Sequence, residues 1–256
     1  MKKQIYTYIL IISVLFCWNQ HSYAQWQKFG SPKGTKIKSI SNYNTEPIIS
    51  ADSGVYTFNK TLRKMNDFLI KDVDFNGANC FFQKDINVLF VGTLSSGIIR
   101  STDAGNTWYF TNNNMPGKMI YSFSNINGTI YACTDNGIFE SSNQGTNWTK
   151  KNFSSDKYYY SIVKMNSQIL IATSNGLYKS KDTLKTMQTA NVNGNILSMI
   201  EKKGCLTVLS ASNGIYYSTD TAKTWKLANG TLPYKQRVGG SNPSAPTTVK
   251  TRVSAN

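Results

Sequence analysis

An all-β chain, a β-propeller of four-stranded antiparallel blades, is what the 256-residue sequence predicts, and three observations carry that reading. A five-residue turn recurs five times: DSGVY around Gly54, SSGII around Gly97, DNGIF around Gly137, SNGLY around Gly176 and SNGIY around Gly214. The intervals are 43, 40, 39 and 38 residues, which is the length of one propeller blade. Short β-rich runs precede the turn in every unit (PIISA, VLFVGT, TIYACT, QILIATS and LTVLSAS), apolar on both faces as befits strands sandwiched between neighbouring sheets. A polar corner also recurs, as RSTDAGNTWYF from Arg100, ESSNQGTNWTK from Glu140 and YSTDTAKTWKL from Tyr217.

Each element of the unit has a local cause. An inner strand, A, opens the unit, as in IYSFSN, YYSIVKM and ILSMIE; the apolar run is strand B. The glycine turn joins B to C, where a positive φ is cheap for glycine. Strand C leads into the corner, and a short strand D begins at the tryptophan. In the best copy Ser101, Asp103, Gly105, Thr107 and Trp108 spell Ser-x-Asp-x-Gly-x-Thr-Trp. Short Ser and Asp side chains hydrogen-bond the backbone N–H groups of such a turn, while the Trp inserts between sheets.

The ends of the chain read differently. Residues 1–24 carry two lysines, an apolar run from Ile9 to Trp18 and a small-residue end at Ala24, the layout of a secretory signal peptide. No later run is long and apolar enough to span a bilayer. The propeller is expected over 25–234, and residues 235–256, without repeat or apolar periodicity, read as a disordered tail foreign to it. The segment QWQKFGSPKG after Ala24 looks like a strand D and its exit, yet the fifth unit already owns the Trp225 strand. Five visible repeats therefore read as a six- or seven-bladed ring cut short, with five self-sufficient blades as the alternative.

Composition excludes several chemistries. Cleavage after Ala24 removes His21, the one histidine, so no histidine-dependent triad or metal site can be built. Cys80, Cys133 and Cys205 remain, an odd number at no zinc spacing, and are expected as buried free thiols. No metal, cofactor motif or Gly-rich phosphate loop is present in the pattern. The formal charge is +15; without Lys2, Lys3 and the four basic residues of the tail, 22 basic side chains face 13 acidic ones, about +9. Such a surface attracts anionic glycans or lipid headgroups, and for an exported chain nucleic acid is not an expected partner.

The corner residues resemble the Asp-box, or BNR repeat, of sialidase-like propellers, over essentially the whole exported chain to Tyr234. The match is full at Ser101, Asp103, Gly105, Thr107 and Trp108, and softened at Ser141, Asn143, Gly145, Asn147 and Trp148. Ser218, Asp220, Ala222, Thr224 and Trp225 lose only the glycine; Ser180, Asp182, Leu184, Thr186 and Met187 lose Gly and Trp; the first unit keeps Met65 at the Trp position. The resemblance implies that these boxes lie away from the ligand-binding face and serve structure. The chain is also similar to the YCF48-like propellers, which are non-enzymatic scaffolds.

Three functions follow from the residues. The first is an exported, non-catalytic propeller that binds or scaffolds a protein or glycan. Its D-to-A loops carry lysine beside aromatics, above all Lys157, Tyr158, Tyr159 and Tyr160, a set suited to an anionic or sugar-bearing partner, although Tyr159 also falls where strand A begins. The second is a glycoside hydrolase using Asp52 and Asp135, which precede the B-to-C glycine and are equally explained as turn formers. Sialidases bind with three arginines, whereas the propeller part here has only Arg63 and Arg100, and the Phe/Tyr-Arg-Ile-Pro signature is absent. The third is the propeller portion of a truncated envelope sensor or adhesin. All three place the protein outside a bacterial cytoplasm, secreted or in the periplasm or envelope.

Overall fold

The computed structural model describes residues 36–59, 64–68, 70, 73–115, 119–151 and 158–228. The expected signal peptide, the Gln25–Gly34 segment, Arg63, Lys157 and the 235–256 tail lie outside them, as does the side chain of Met65. The described residues are all-β and form five blades around one axis, each a four-stranded antiparallel sheet in sequence order. Blade 1 is β1 (Ile37–Tyr43), β2 (Glu46–Ala51), β3 (Gly54–Asn59) and β4 (Lys64–Asp67). Blade 2 is β5 (Ala78–Gln83), β6 (Leu89–Thr93), β7 (Ile98–Ser101) and β8 (Tyr109–Phe110). Blade 3 is β9 (Ile120–Ile126), β10 (Thr129–Thr134), β11 (Gly137–Ser141) and β12 (Thr149–Lys150). Blade 4 is β13 (Tyr159–Met165), β14 (Gln168–Thr173), β15 (Gly176–Ser180) and β16 (Gln188–Thr189). Blade 5 is β17 (Ile196–Lys202), β18 (Cys205–Ser210), β19 (Gly214–Ser218) and β20 (Lys226–Leu227).

Four apolar seams hold successive blades together. Ile48 and Val55 of blade 1 meet Phe81, Val91, Ile99 and Trp108 of blade 2. Phe90 and Ile98 of blade 2 meet Ile130, Phe139 and Trp148 of blade 3. Tyr131 and Ile138 then meet Tyr159, Ile162 and Leu184, and Leu170 and Leu177 meet Met199, Val208 and Ala222. Strand B is buried on both faces for this reason; β6, β10 and β14 are almost wholly enclosed. Each such side chain contributes about 1.5–3 kcal/mol relative to exposure.

The seams stop at the two ends. Central strands pack β1 on β5, β5 on β9, β9 on β13 and β13 on β17, and among the described residues there is no comparable packing of β17 on β1. Ile40 occupies the register of Phe81 and Ile162, both buried, yet it is 68% exposed. Ile215 follows the turn glycine as Ile98, Ile138 and Leu177 do, and alone of these is 42% exposed. Blade 1 and blade 5 thus each present an apolar sheet face of the kind that interior blades bury.

Every strand A carries a register break near its start. One residue lies between the paired positions in each: Lys38, Asn79, Tyr121, Tyr160 and Leu197. Such a bulge leaves the extra residue out of the ladder and re-aims its side chain. The five bulged residues share one end of the blades with the B-to-C turns, because antiparallel pairing returns strand B to where strand A began.

Candidate binding site on the bulged rim

The rim is built by the bulge together with the residue just before strand A. In blade 3, the Asp135 N–H donates to the carbonyl of Met119 at 3.2 Å, which ties the B-to-C turn to the entry of β9. Blade 4 repeats the tie: Ser174 N–H donates to the Tyr158 carbonyl at 3.0 Å and Tyr158 N–H to Ser174 Oγ at 3.1 Å. In blade 5 Ala211 N–H donates to the Asn195 carbonyl at 2.8 Å. In the three inner blades a threonine closes the same turn, Thr93, Thr134 and Thr173 each donating Oγ1–H to the carbonyl of the turn glycine.

This scaffold brings three tyrosines together. Tyr121 and Tyr160, equivalent bulge residues of adjacent blades, stand edge to face with centroids 4.9 Å apart. Tyr158 joins them at 6.4 Å from Tyr121 and 6.5 Å from Tyr160, and is 51% exposed. Burial, followed by the neighbouring Tyr160, Asp135 and Tyr158, pushes the Tyr121 hydroxyl up to about 12. Burial also raises Tyr160, with a smaller rise from Tyr158, against a hydrogen bond from the Asn195 side chain that lowers it. Asp135 Oδ1 and Asn195 Oδ1 are both enclosed at this rim without a hydrogen-bond partner.

Of the patch expected from sequence, Tyr158 and Tyr160 are on the rim and Lys157 lies outside the described residues. Tyr159 is a correction: it is the first residue of β13, paired with Thr173, and its ring is fully buried in the seam between blades 3 and 4. A side chain committed to that seam cannot meet a partner. Tyr121 was missed, and aligning MIYS with YYYS at the starts of strand A would have placed it level with Tyr160.

Asp52 and Asp135 both lie at the rim end, in blades 1 and 3 with β5 between them. Asp52 Oδ1 accepts the Lys36 N–H at 2.9 Å, a turn-closing bond. Among the described residues no group of three or more His, Cys, Asp or Glu side chains could hold a metal ion. Cys80 and Cys133 are buried free thiols and Cys205 is half-buried.

The C-to-D corners occupy the other end of the blades. Ser101 Oγ–H donates to Asp103 Oδ1 at 2.8 Å and accepts the Gly105 N–H at 2.8 Å. Asp103 then accepts Thr107 N–H at 2.9 Å and Thr107 Oγ1–H at 2.6 Å. The same set recurs at Ser180, Asp182, Leu184 and Thr186, and at Ser218, Asp220, Ala222 and Thr224. At Ser141, Asn143, Gly145 and Asn147 the amide oxygen replaces the carboxylate and the hydroxyl bond drops out. These bonds hold Asp103 down to about 2, and Asp182 and Asp220 well below the usual carboxylate range.

A depression of about 390 Å³ lies between the corners of blades 3 and 4, lined by Tyr131, Glu140, Asn143, Lys151 and Lys185 among others. Several of its polar groups are already matched: Lys151 pairs Glu140 at 2.9 Å, and Asn143 Oδ1 accepts both Ser141 Oγ–H and Asn147 N–H. The rim instead holds two enclosed acceptors without partners, Asp135 Oδ1 and Asn195 Oδ1, beside three tyrosines, and is the better candidate.

Fold and rim together define a β-propeller module. No family model matches the chain, and no curated protein matches it. Among solved structures it is similar to what is described as the extracellular domain of the one component system BT4673 from B. thetaiotaomicron, with TM-score 0.63 and 18% identity over 79% of this chain and 29% of that one. The Niastella koreensis GH74 enzyme aligns with TM-score 0.58 and 16% identity over 76% of this chain and 30% of that one. A YCF48 structure bound to D1 peptide aligns with TM-score 0.57 and 12% identity over 78% of this chain and 69% of that one. The chain spans under a third of the first two and about two thirds of the third. At such identities the likeness shows the fold.

Proposed function

We propose that the chain is an exported, non-catalytic propeller module that binds a protein or glycan partner on the bulged rim of blades 3 to 5. The observation that carries this reading is the tyrosine trio beside two enclosed, unpartnered acceptors, an arrangement that a propeller core does not need. The corner residues are Asp-box elements serving architecture, since their oxygens are consumed by their own turns. Export rests on the charged-then-apolar leader, and extracellular domains among the similar folds support it. A YCF48 propeller with a peptide bound supports the use of such a fold for binding.

Pull-down from envelope extracts and a glycan array, run with the mature chain and with Tyr158→Ala, test the proposal. A partner retained by the parent chain and lost by the variant, whose melting temperature stays the same, is the expected result. Retention that ignores Tyr158, Tyr121 and Tyr160 alike rejects the rim as the binding surface.

A further inference from the structure

We infer that the rim site takes a positively charged side chain, the ammonium of lysine or the guanidinium of arginine presented by a peptide partner. The inference rests on the binding reading above and narrows its ligand. Three tyrosine rings with centroids 4.9–6.5 Å apart offer electron-rich faces that attract a cation, the more so as it is desolvated. Asp135 supplies the charge. Its Oδ1 is enclosed, accepts no hydrogen bond, and Asp135 has no ion-pair partner among the described residues. A carboxylate oxygen removed from water without a donor is costly, and a cation that arrives with donors offsets the cost. Asn195, beside Tyr160, adds a second acceptor, its enclosed Oδ1 having no hydrogen-bond partner.

The other ligand classes match less well. An anionic glycan or phosphate meets Asp135 with like charge. A neutral sugar can stack on the rings and donate hydroxyls, but it leaves the carboxylate charge uncompensated. The basic balance of the whole chain does not prevent a cation from binding here. Screening confines each charge to about 8 Å at physiological salt; Lys36 and Lys38 belong to blade 1, two blades from Tyr121, and Lys150 of blade 3, which reaches the same turn, donates its ammonium to Asn136 Oδ1 at 3.1 Å and makes no ion pair with Asp135. The polar rim thus inverts the sequence expectation of an anionic partner, because Tyr121, Asp135 and Asn195 converge where only the lysine-bearing loop was visible.

The test titrates the mature chain with acetylated, amidated pentapeptides Gly-Ser-X-Ser-Gly, followed by ligand-observed NMR, with X as lysine, arginine, norleucine or glutamate, and with maltotriose as the sugar probe. The expected result is saturable binding of the lysine and arginine peptides, at least tenfold tighter than norleucine or glutamate. Asp135→Asn, which preserves shape, should weaken the lysine peptide about tenfold without changing the melting temperature, and Tyr158→Ala should do likewise. Equal binding of the norleucine peptide, indifference to Asp135→Asn, binding of maltotriose alone, or no binding of any probe each overturns the inference. A partner captured through Tyr158 but indifferent to Asp135→Asn defeats the cationic ligand and leaves the binding module intact.

Discussion

Ile40 and Phe81 hold the same register in the central strands of adjacent blades, each opposite a strand-B residue, yet Phe81 is 4% exposed and Ile40 is 68% exposed. The difference is the neighbour. Phe81 packs into the seam with blade 1, whereas no described blade stands before Ile40. Phe81→Ala is therefore expected to cost about 3–5 kcal/mol, and Ile40→Lys to stay within about 0.5 kcal/mol of the parent. Urea unfolding of the two variants checks this. The exposed faces of Ile40 and Ile215 are also adhesive, so Ile40→Lys combined with Ile215→Lys should reduce concentration-dependent association in sedimentation velocity. An unchanged sedimentation profile would show that these faces are covered.

The corner carboxylates set an acid limit on stability. Asp103 is depressed from its ordinary 3.8 to about 2 by Thr107 and Ser101, and Asp182 and Asp220 lie lower still. A carboxylate whose folded value is depressed stabilises the fold above its unfolded value, and that contribution is lost as pH falls through the folded value. Stability should accordingly decline from about pH 4 through pH 2 as these carboxylates take up protons. Urea midpoints between pH 6 and pH 1.5 follow the decline, and Asp103→Asn should flatten its upper part. A midpoint constant from pH 4 to pH 2 contradicts the assignment.

How much of this was legible in the sequence depends on which periodicity a residue obeys. Strand order and the corners follow the 38–43-residue repeat, and the five B-to-C glycines align its visible copies. The corner even survives where its own glycine is gone. Leu184 and Ala222 adopt φ of 64° and 57° in place of glycine, because their Ser and Asp hydrogen bonds fix the turn regardless. The rim was half legible. Tyr158 and Tyr160 stood out as aromatics beside a lysine, but the bulge breaks the alternation by which a strand is read, so Tyr159 turned inward and Tyr121 joined the site unannounced. Asp135 looked like a turn former, and only the three-dimensional approach of Tyr121 makes it a charge at a binding surface.

Gly145 and Ala222 occupy one corner position in different blades and should respond unequally to exchange. A Cβ at Gly145 would clash with the Phe90 ring, which fills the seam against Trp148. The backbone there also has φ +82°, which adds strain for any L side chain. Gly145→Ala is expected to cost about 1–3 kcal/mol through overpacking plus about 1 kcal/mol of backbone strain. Ala222→Gly loses one buried methyl, about 0.8 kcal/mol, and relieves a strain of similar size, so it should be near neutral. Denaturant titration of the pair decides the point, and equal losses in both would mean that turn conformation rather than the Phe90 contact governs the position.

The three cysteines offer a probe of seam integrity that needs no substitution. Burial pushes the Cys133 thiol up to about 12 and Cys80 higher, with nothing nearby strong enough to favour the thiolate. The thiolate is the reactive form, and both sulfurs sit on strands facing seams, Cys80 between blades 2 and 3 and Cys133 between blades 3 and 4. Cys205 is half-buried at the start of β18 in the terminal blade. Ellman's reagent at pH 8, applied to the chain without residues 1–24, should consequently modify one thiol rapidly, Cys205, and three after unfolding in guanidinium. Slow release of the second and third thiols then times the opening of the seams, and Trp148→Ala, which empties part of the seam holding Cys80, should expose Cys80 before Cys133. Rapid reaction of all three in the parent chain would mean that the blades do not pack as described.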